Sequence, residues 1–473
     1  MHKIRLNQTY KIEGIFTLPW GECYGTLYLD PHHPYLEVLT KLPVATRTEY
    51  HLPTDTIIKG DTCGYGKITI LNPQFKSSEE TGGMGGDKLV KITIIARTIL
   101  SCENDYSQSP LFKKVRLFIN GTKEWLGKSD KEVDETYDKG ERVNVFTVKL
   151  DKKFTVKNNY ARTQFSGATS FSFSSTEIRA NIEFDFDEKK SITEIQEVAY
   201  QWLILQSLLS GLYTQTDKIT LHNEVLHKMP DGKHLRMEDK SYLYFAQRSD
   251  RDFDEVKSNA DIWHQKHLGD LNFEQIINKW FARSEGKISI GNLFYSSATQ
   301  LIFTADKFLN MVRAIEGYAE EKAIRYVSDE DIEEFRKDEA IQSALSKYIT
   351  KPKNFIRRIS LEKNSLQDRI ALIIDDVPEE LLKIICWNKS ESDEENSDAA
   401  KIVKLRNNCS HWKAGNVGKE YVRETTEFYY KMKFILIYLQ LSELGIPSDQ
   451  IITSICHNQK FAPVILDYLQ RKK

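Results

Sequence analysis

The sequence predicts an α+β chain in two parts: an N-terminal antiparallel β-rich domain, sandwich-like, followed by a C-terminal all-α helical bundle. Three observations carry this. Apolar residues recur with period two up to about residue 190, and with three- and four-residue steps beyond about residue 296. Between them, Ser191 and Glu194 form an S-x-x-E capping box that marks a helix start. On this pattern the β-rich domain spans 1–255 with one helix near 191–211. A helical connector spans 256–295, and the helical domain spans 296–473.

The strands are read in order. Lys67–Leu71 is the first candidate. Val90, Ile92, Ile94 and Ala96 then alternate with their neighbours as a half-buried strand does. Val115–Ile119, Val143–Leu150 and Phe171–Phe173 are further candidates. The clearest is Ile178, Ala180, Ile182, Phe184 and Phe186, interleaved with Arg179, Asn181, Glu183 and Asp185. Turn residues such as Asn120-Gly121 separate these runs. The glycine-rich stretch from Thr81 to Gly86 lacks the Gly-Lys-Ser/Thr of a phosphate loop and reads as a hairpin connection. After Ser191, Ile195, Val198, Ala199, Trp202 and Leu205 form one helical stripe that Gly211 is placed to stop. Lys218–Leu221 and Tyr242–Ala246 return to strand pattern, and Phe273 to Phe281 reads as a connector helix.

In the helical part, expected to hold four or five helices, Phe308, Met311, Val312, Ile315 and Ala319 form a stripe. Asp398 is placed to cap a helix running through Ile402 and Leu405 toward Cys409. The last long helix carries Val422, Tyr429, Leu436 and Leu439 and ends at Gly445, with Pro447 beyond. The acidic, serine-rich stretch around Glu391 to Asp398 reads as a solvated loop.

Composition narrows the function. Lys plus Arg number 66 and Asp plus Glu 68, a net charge of 66 − 68 = −2 across 473 residues. That balance excludes a protein that coats nucleic acid through bulk positive charge, though not a local basic site. The six cysteines have no C-x-x-C spacing, so neither a disulfide framework nor a structural metal is expected, and no cofactor. No apolar stretch reaches the roughly 18 residues of a membrane span, and the N-terminus has no signal-peptide core. The chain reads as cytoplasmic, with no membrane partner.

Chemistry concentrates at LRNNCSHW, Leu405 to Trp412, where Arg406, Asn407 and His411 make an R-N-x-x-x-H string. Arginine offers a fixed fork of donors matched to phosphate. Histidine, with a pKa near 6.5, gives and takes protons at neutral pH. Together they suit metal-independent attack on an RNA phosphodiester. His411 would take the proton of a ribose 2′-hydroxyl or protonate the leaving 5′-oxygen, and Arg406 would hold the phosphoryl oxygens as charge builds. One histidine does not easily serve both transfers, and a dimer would supply the second. The reading from another class is a non-catalytic module that binds a nucleotide or a partner protein, with His411 a solvated helix-end residue.

At these residues the chain resembles the HEPN superfamily of helical domains, whose ribonucleases carry R-x-x-x-x-H. More narrowly it resembles the ApeA-like abortive-infection anti-phage family, which joins a β-rich N-terminal domain to a C-terminal HEPN domain. Phe308-Leu309 through Arg313 to Tyr318 is similar to that group's first HEPN helix, and the order of elements matches, including the aromatic connector Lys279-Trp280-Phe281. The resemblance implies an endoribonuclease, tRNA among its candidate substrates, that needs no metal and works as a homodimer or higher homo-oligomer through the HEPN domain. It would leave 2′,3′-cyclic phosphate and 5′-hydroxyl ends and cause abortive infection. Arg406 and His411 would be its catalytic pair and Asn407 the polar residue that shapes the motif. A phage-derived trigger would act on the N-terminal domain. Beside the motif, Lys401, Lys404 and Lys413 are placed to attract RNA phosphate. Trp412 has two roles open to it, stacking on a base or packing. Glu316 could orient Arg406 from a neighbouring helix or be an ordinary surface residue. Lys351, Lys353, Arg357 and Arg358 form a second basic segment that could guide RNA.

Overall fold

The computed structural model describes residues 4–42, 52–53, 55–81, 88–103, 106, 109–141, 143–150, 153–167, 173–228, 234–246, 271–299, 303–321, 337–347, 366–389, 397–410 and 419–457. They divide into two compact units, Met1–Asn278 and Lys279–Lys473. The segment 256–295, expected to be a connector, holds this division within one of its helices.

The first unit is built on a single antiparallel sheet. Its strands are β1 (Tyr10–Leu18), β2 (Gly21–Leu29), β3 (Tyr35–Leu42), β4 (Ile57–Thr62), β5 (Gly66–Leu71), β6 (Gln74–Thr81), β7 (Lys88–Ile95), β8 (Thr98–Cys102), β9 (Phe112–Ile119), β10 (Thr147–Leu150), β11 (Phe154–Gly167), β12 (Phe173–Lys190), β13 (Thr216–Lys228) and β14 (His234–Phe245). Hydrogen bonding runs without a break through β10-β11-β12-β9-β13-β14-β8-β5-β4-β1-β2-β3-β7-β6. The sequence alternation that predicts facing layers cannot show this continuity, because it reports burial and not pairing.

The two cores of this sheet lie on opposite faces. One row of cross-strand partners runs Ile182, Leu117, Ile219, Leu243, Leu100, Thr69, Lys59, Thr17. It is apolar and buried as far as Leu100, and it becomes an open face where Ile15, Tyr24 and Leu39 are about half exposed. The adjacent row lies on the other face and runs Glu183, Arg116, Thr220, Tyr242, Ser101, Ile68, Gly60, Phe16, Cys23. It begins with charge and ends in an apolar core. The switch falls on β14, β8 and β5, where consecutive residues such as Tyr242, Leu243 and Tyr244, or Ile99, Leu100 and Ser101, are all buried.

The first core is closed by helix α3. The short helices α1 (Thr122–Leu126) and α2 (Asp130–Asp138) precede it, and α3 itself spans Ile192–Ser210. Its capping box is complete: the Ser191 hydroxyl accepts from the Glu194 amide, and the Glu194 carboxylate accepts from the Ser191 amide at 2.9 Å. Gly211 stops the helix in the left-handed region at φ 69°, as the sequence predicts. Trp202 packs on Phe184 and Phe146 with ring centroids 5.6 and 5.9 Å apart. Its indole N–H donates to Gln206 (3.2 Å), whose amide donates to Thr122 (2.7 Å), so both of these buried donors are satisfied. The predicted strand Val143–Leu150 is ordered as a strand only over Thr147–Leu150. The amides of Val145 and Phe146 donate instead to the Asn158 side chain, at 2.8 and 2.9 Å, which takes them out of the ladder. Of Phe171–Phe173, Phe173 opens β12 and the rest lies outside the described residues.

On the polar face His222 is almost fully buried, between Thr220, whose hydroxyl is 2.9 Å from Nε2, and its cross-strand neighbours Lys114 and Lys240. Burial, reinforced by the cations of Arg116 and Lys240, holds its pKa down at about 3. The unfolded chain takes up this proton near pH 6.5, so His222 favours the fold above pH 6.5, and that contribution is lost as pH falls toward 3. Between pH 7 and pH 5 the loss is about 2 kcal/mol. Thermal unfolding of His222→Gln compared with the parent at pH 7 and pH 5 checks it. The variant is expected to lose less stability on acidification, and an unchanged difference would refute the assignment.

The second unit is helical. α4 (Phe273–Phe281) crosses the division, with Phe273 packed on Trp125 and Phe146 at 6.1 and 4.6 Å. The helices that follow are α5 (Glu285–Thr299), α6 (Ala305–Glu321), α7 (Glu339–Ser346), α8 (Leu366–Asp375), α9 (Glu379–Ile384), α10 (Asp398–Ser410), α11 (Lys419–Glu443) and α12 (Ser448–His457). Seven of these, α6 to α12, fall among the described residues of 296–473, where four or five are expected, because α7 and α9 are too short to give a periodic signal. α6 is the hub, packing on α5, α8, α10 and α11. Its predicted stripe of Phe308, Met311, Val312, Ile315 and Ala319 is buried. At the far end of α11, Glu443 accepts from Lys287 (3.2 Å) and Tyr318 (2.8 Å), and Gly445 ends the helix at φ 90°. Among the described residues, no helix is long and apolar enough to cross a membrane. The Thr81–Gly86 stretch beyond Thr81, the acidic residues 391–396 and the basic segment 351–358 lie outside the described residues.

Candidate active site

Two residues of the motif, Arg406 and Asn407, sit on α10. Ile402, Leu405 and Cys409 recur at three- and four-residue steps and are buried against the bundle. That stripe turns Asn407 outward, where it is exposed, and leaves Arg406 half-buried on the flank. The Arg406 guanidinium donates to the Asn407 side-chain oxygen at 3.2 Å, so the two polar residues of the string form one surface group. Lys404 is exposed beside them and Lys401 is half-buried a turn earlier. His411, Trp412 and Lys413 lie outside the described residues.

The helix start differs from expectation. Ser397, not Asp398, caps it, its hydroxyl accepting from the Ala400 amide at 3.1 Å. Asp398 is instead buried and ion-paired with Lys431 of α11 at 2.5 Å, both side chains about 5% exposed. It also accepts from the Asn388 amide at 3.1 Å, while Lys431 donates to the Cys386 carbonyl at 2.9 Å. Two cap-type residues stand side by side here, both buried, and the ion pair with Lys431 is what takes Asp398 away from the cap. At the other end of α10, the Cys409 sulfur and the Tyr421 hydroxyl of α11 are 2.5 Å apart. Burial pushes both groups upward, so both are neutral at pH 7. Sequence reasoning missed Lys431 and Tyr421 because a lone lysine and tyrosine on an amphipathic helix carry no motif.

Glu316, considered as an orienting residue for Arg406, pairs with Arg369 of α8 at 3.5 Å, and Glu320 joins at 2.9 Å. Its observed role is to tie α6 to α8. Among the described residues, no three His, Cys, Asp or Glu side chains come together as a metal site needs.

The family model for ApeA N-terminal domain 1 matches residues 11–280, more than half of the chain. The chain belongs to the ApeA family. The model for Apea-like HEPN matches residues 309–450, which takes in most of α6, all of α8, α10 and α11, and the sequence from Arg406 to His411. No curated protein and no solved structure matches the chain. ApeA architecture, β-rich then HEPN, is therefore the architecture here, and the chain is an anti-phage protein carrying a HEPN domain. HEPN domains are generally associated with ribonuclease activity, and they commonly oligomerise and bind RNA.

Proposed function

We propose that this ApeA-family chain is a metal-independent endoribonuclease whose activity on cellular RNA, tRNA being the first candidate, produces abortive infection. The observation that supports this reading is the Arg406–Asn407 pair, open to solvent on α10 inside the matched HEPN segment. In this mechanism the Arg406 guanidinium binds the non-bridging phosphoryl oxygens and strengthens its hold as the 2′-oxygen attacks and charge accumulates. His411 removes the 2′-hydroxyl proton or protonates the departing 5′-oxygen, and the same residue of a second copy does the other. The bonds formed and broken leave a 2′,3′-cyclic phosphate and a 5′-hydroxyl. Asn407 holds the arginine fork, and Lys401, Lys404, Trp412 and Lys413 border the path of the strand. The β-rich unit acts as the regulatory part that meets the trigger.

The test is the chemistry of the RNA ends. Purified protein incubated with tRNA in excess chelator is expected to yield cyclic-phosphate and 5′-hydroxyl termini. Intact RNA, in cells where the chain still protects against phage, would replace this reading with that of a nucleotide- or protein-binding module.

A further inference from the structure

The two contacts between α10 and α11 form a matched pair. Asp398 and Cys409 are eleven residues apart, about 16.5 Å along a helix and just over three turns, so they lie on one stripe of α10. Their partners Lys431 and Tyr421 are ten residues apart on α11, about 15 Å. The partners run in the opposite chain direction: the start of α10 meets Lys431, and its end meets Tyr421. The motif helix is thus held at both ends to one long antiparallel neighbour. Nine residues from Asp398, Asn407 falls about 180° from the held stripe, and Arg406 about 80° from it. A one-residue slip would turn the helix by about 100° and carry Arg406 off its flank.

The geometry points to Lys431 and Tyr421 as positioning residues that set the rotation and register of the motif helix, and so the aim of Arg406; the effect on catalysis rests on the ribonuclease reading above. The Lys431–Asp398 pair suits this role. A buried ion pair contributes little net stability compared with a well-packed apolar pair, yet it demands one geometry, which apolar contact does not. Tyr421 adds a directional contact at the Cys409 end of the same helix.

The test separates register from stability by replacing the pair with apolar side chains, Asp398→Leu together with Lys431→Met. Nitroxide labels at Asn408→Cys and Val422→Cys, both exposed sites, in a background with Cys63→Ser and Cys456→Ser, report the distance between the helices. The full-length parent is expected to give one narrow distance. The apolar double variant is expected to melt within a few degrees of it but to show a broadened or displaced distance. Its kcat on tRNA should fall about tenfold, with KM unchanged. A parent-like distance together with parent-like kcat would overturn the proposal. Should the double variant unfold, Tyr421→Phe is judged by the same two measurements, and parent-like values there overturn it equally. If the parent itself cuts no RNA, the ribonuclease reading fails, and the label distance alone still decides whether the pair sets the register.

Discussion

Arg406→Ala is expected to lower the rate of RNA cleavage by about 10²–10³-fold, the cost of removing one preorganised donor from a developing oxyanion. His411→Ala is expected to cost about 10²–10⁴-fold, as loss of a general acid or base does. Arg406 is half-buried on the flank of α10, off the buried stripe of Ile402, Leu405 and Cys409, so melting should stay close to that of the parent. The two residues serve one transition state, so the double variant should be little worse than the more severe single variant. Initial rates on a defined tRNA, with circular dichroism to check folding, decide the matter. Well-folded variants that cut at the parental rate would remove Arg406 and His411 from the chemistry. Asn407→Ala should be milder, since it leaves the guanidinium in place and removes only its 3.2 Å contact.

The second large effect concerns stability. Lys431→Ala leaves the Asp398 carboxylate buried, about 4% exposed, with its cation gone. Breaking a buried pair from one side typically costs about 3–5 kcal/mol, because the remaining charge can neither reach water nor find a new partner. Denaturant unfolding of Lys431→Ala against the parent at pH 7 checks this. A loss under 1 kcal/mol at pH 7 would mean that water reaches the aspartate in the native state.

Much of this architecture can be read from the amino acids, and the reasons for the exceptions are physical. β12 is legible because α3 covers one of its faces and charge marks the other, so Ile178 to Phe186 alternate cleanly. β1 to β3 are harder: their open face carries Ile15, Tyr24 and Leu39, and apolar residues on both sides blur the period. β5 and β8 are buried on both faces and lose alternation altogether, though Lys67–Leu71 still reads as a short apolar run. α2 is announced by a capping box at Ser129 and Glu132 as complete as that at Ser191, but it is too short to give a stripe. At the candidate site, spacing singles out Arg406 and Asn407. The clamp of Lys431 on Asp398 joins residues thirty-three positions apart, and local pattern carries no trace of it.

The exchange of faces along the great sheet has a mechanical consequence. The strands where it occurs belong to both interiors at once: Leu243 and Leu100 support the side under α3, while Tyr242, Ser101 and Ile68 line the opposite one. Neither lobe can come apart without stripping cover from this shared seam.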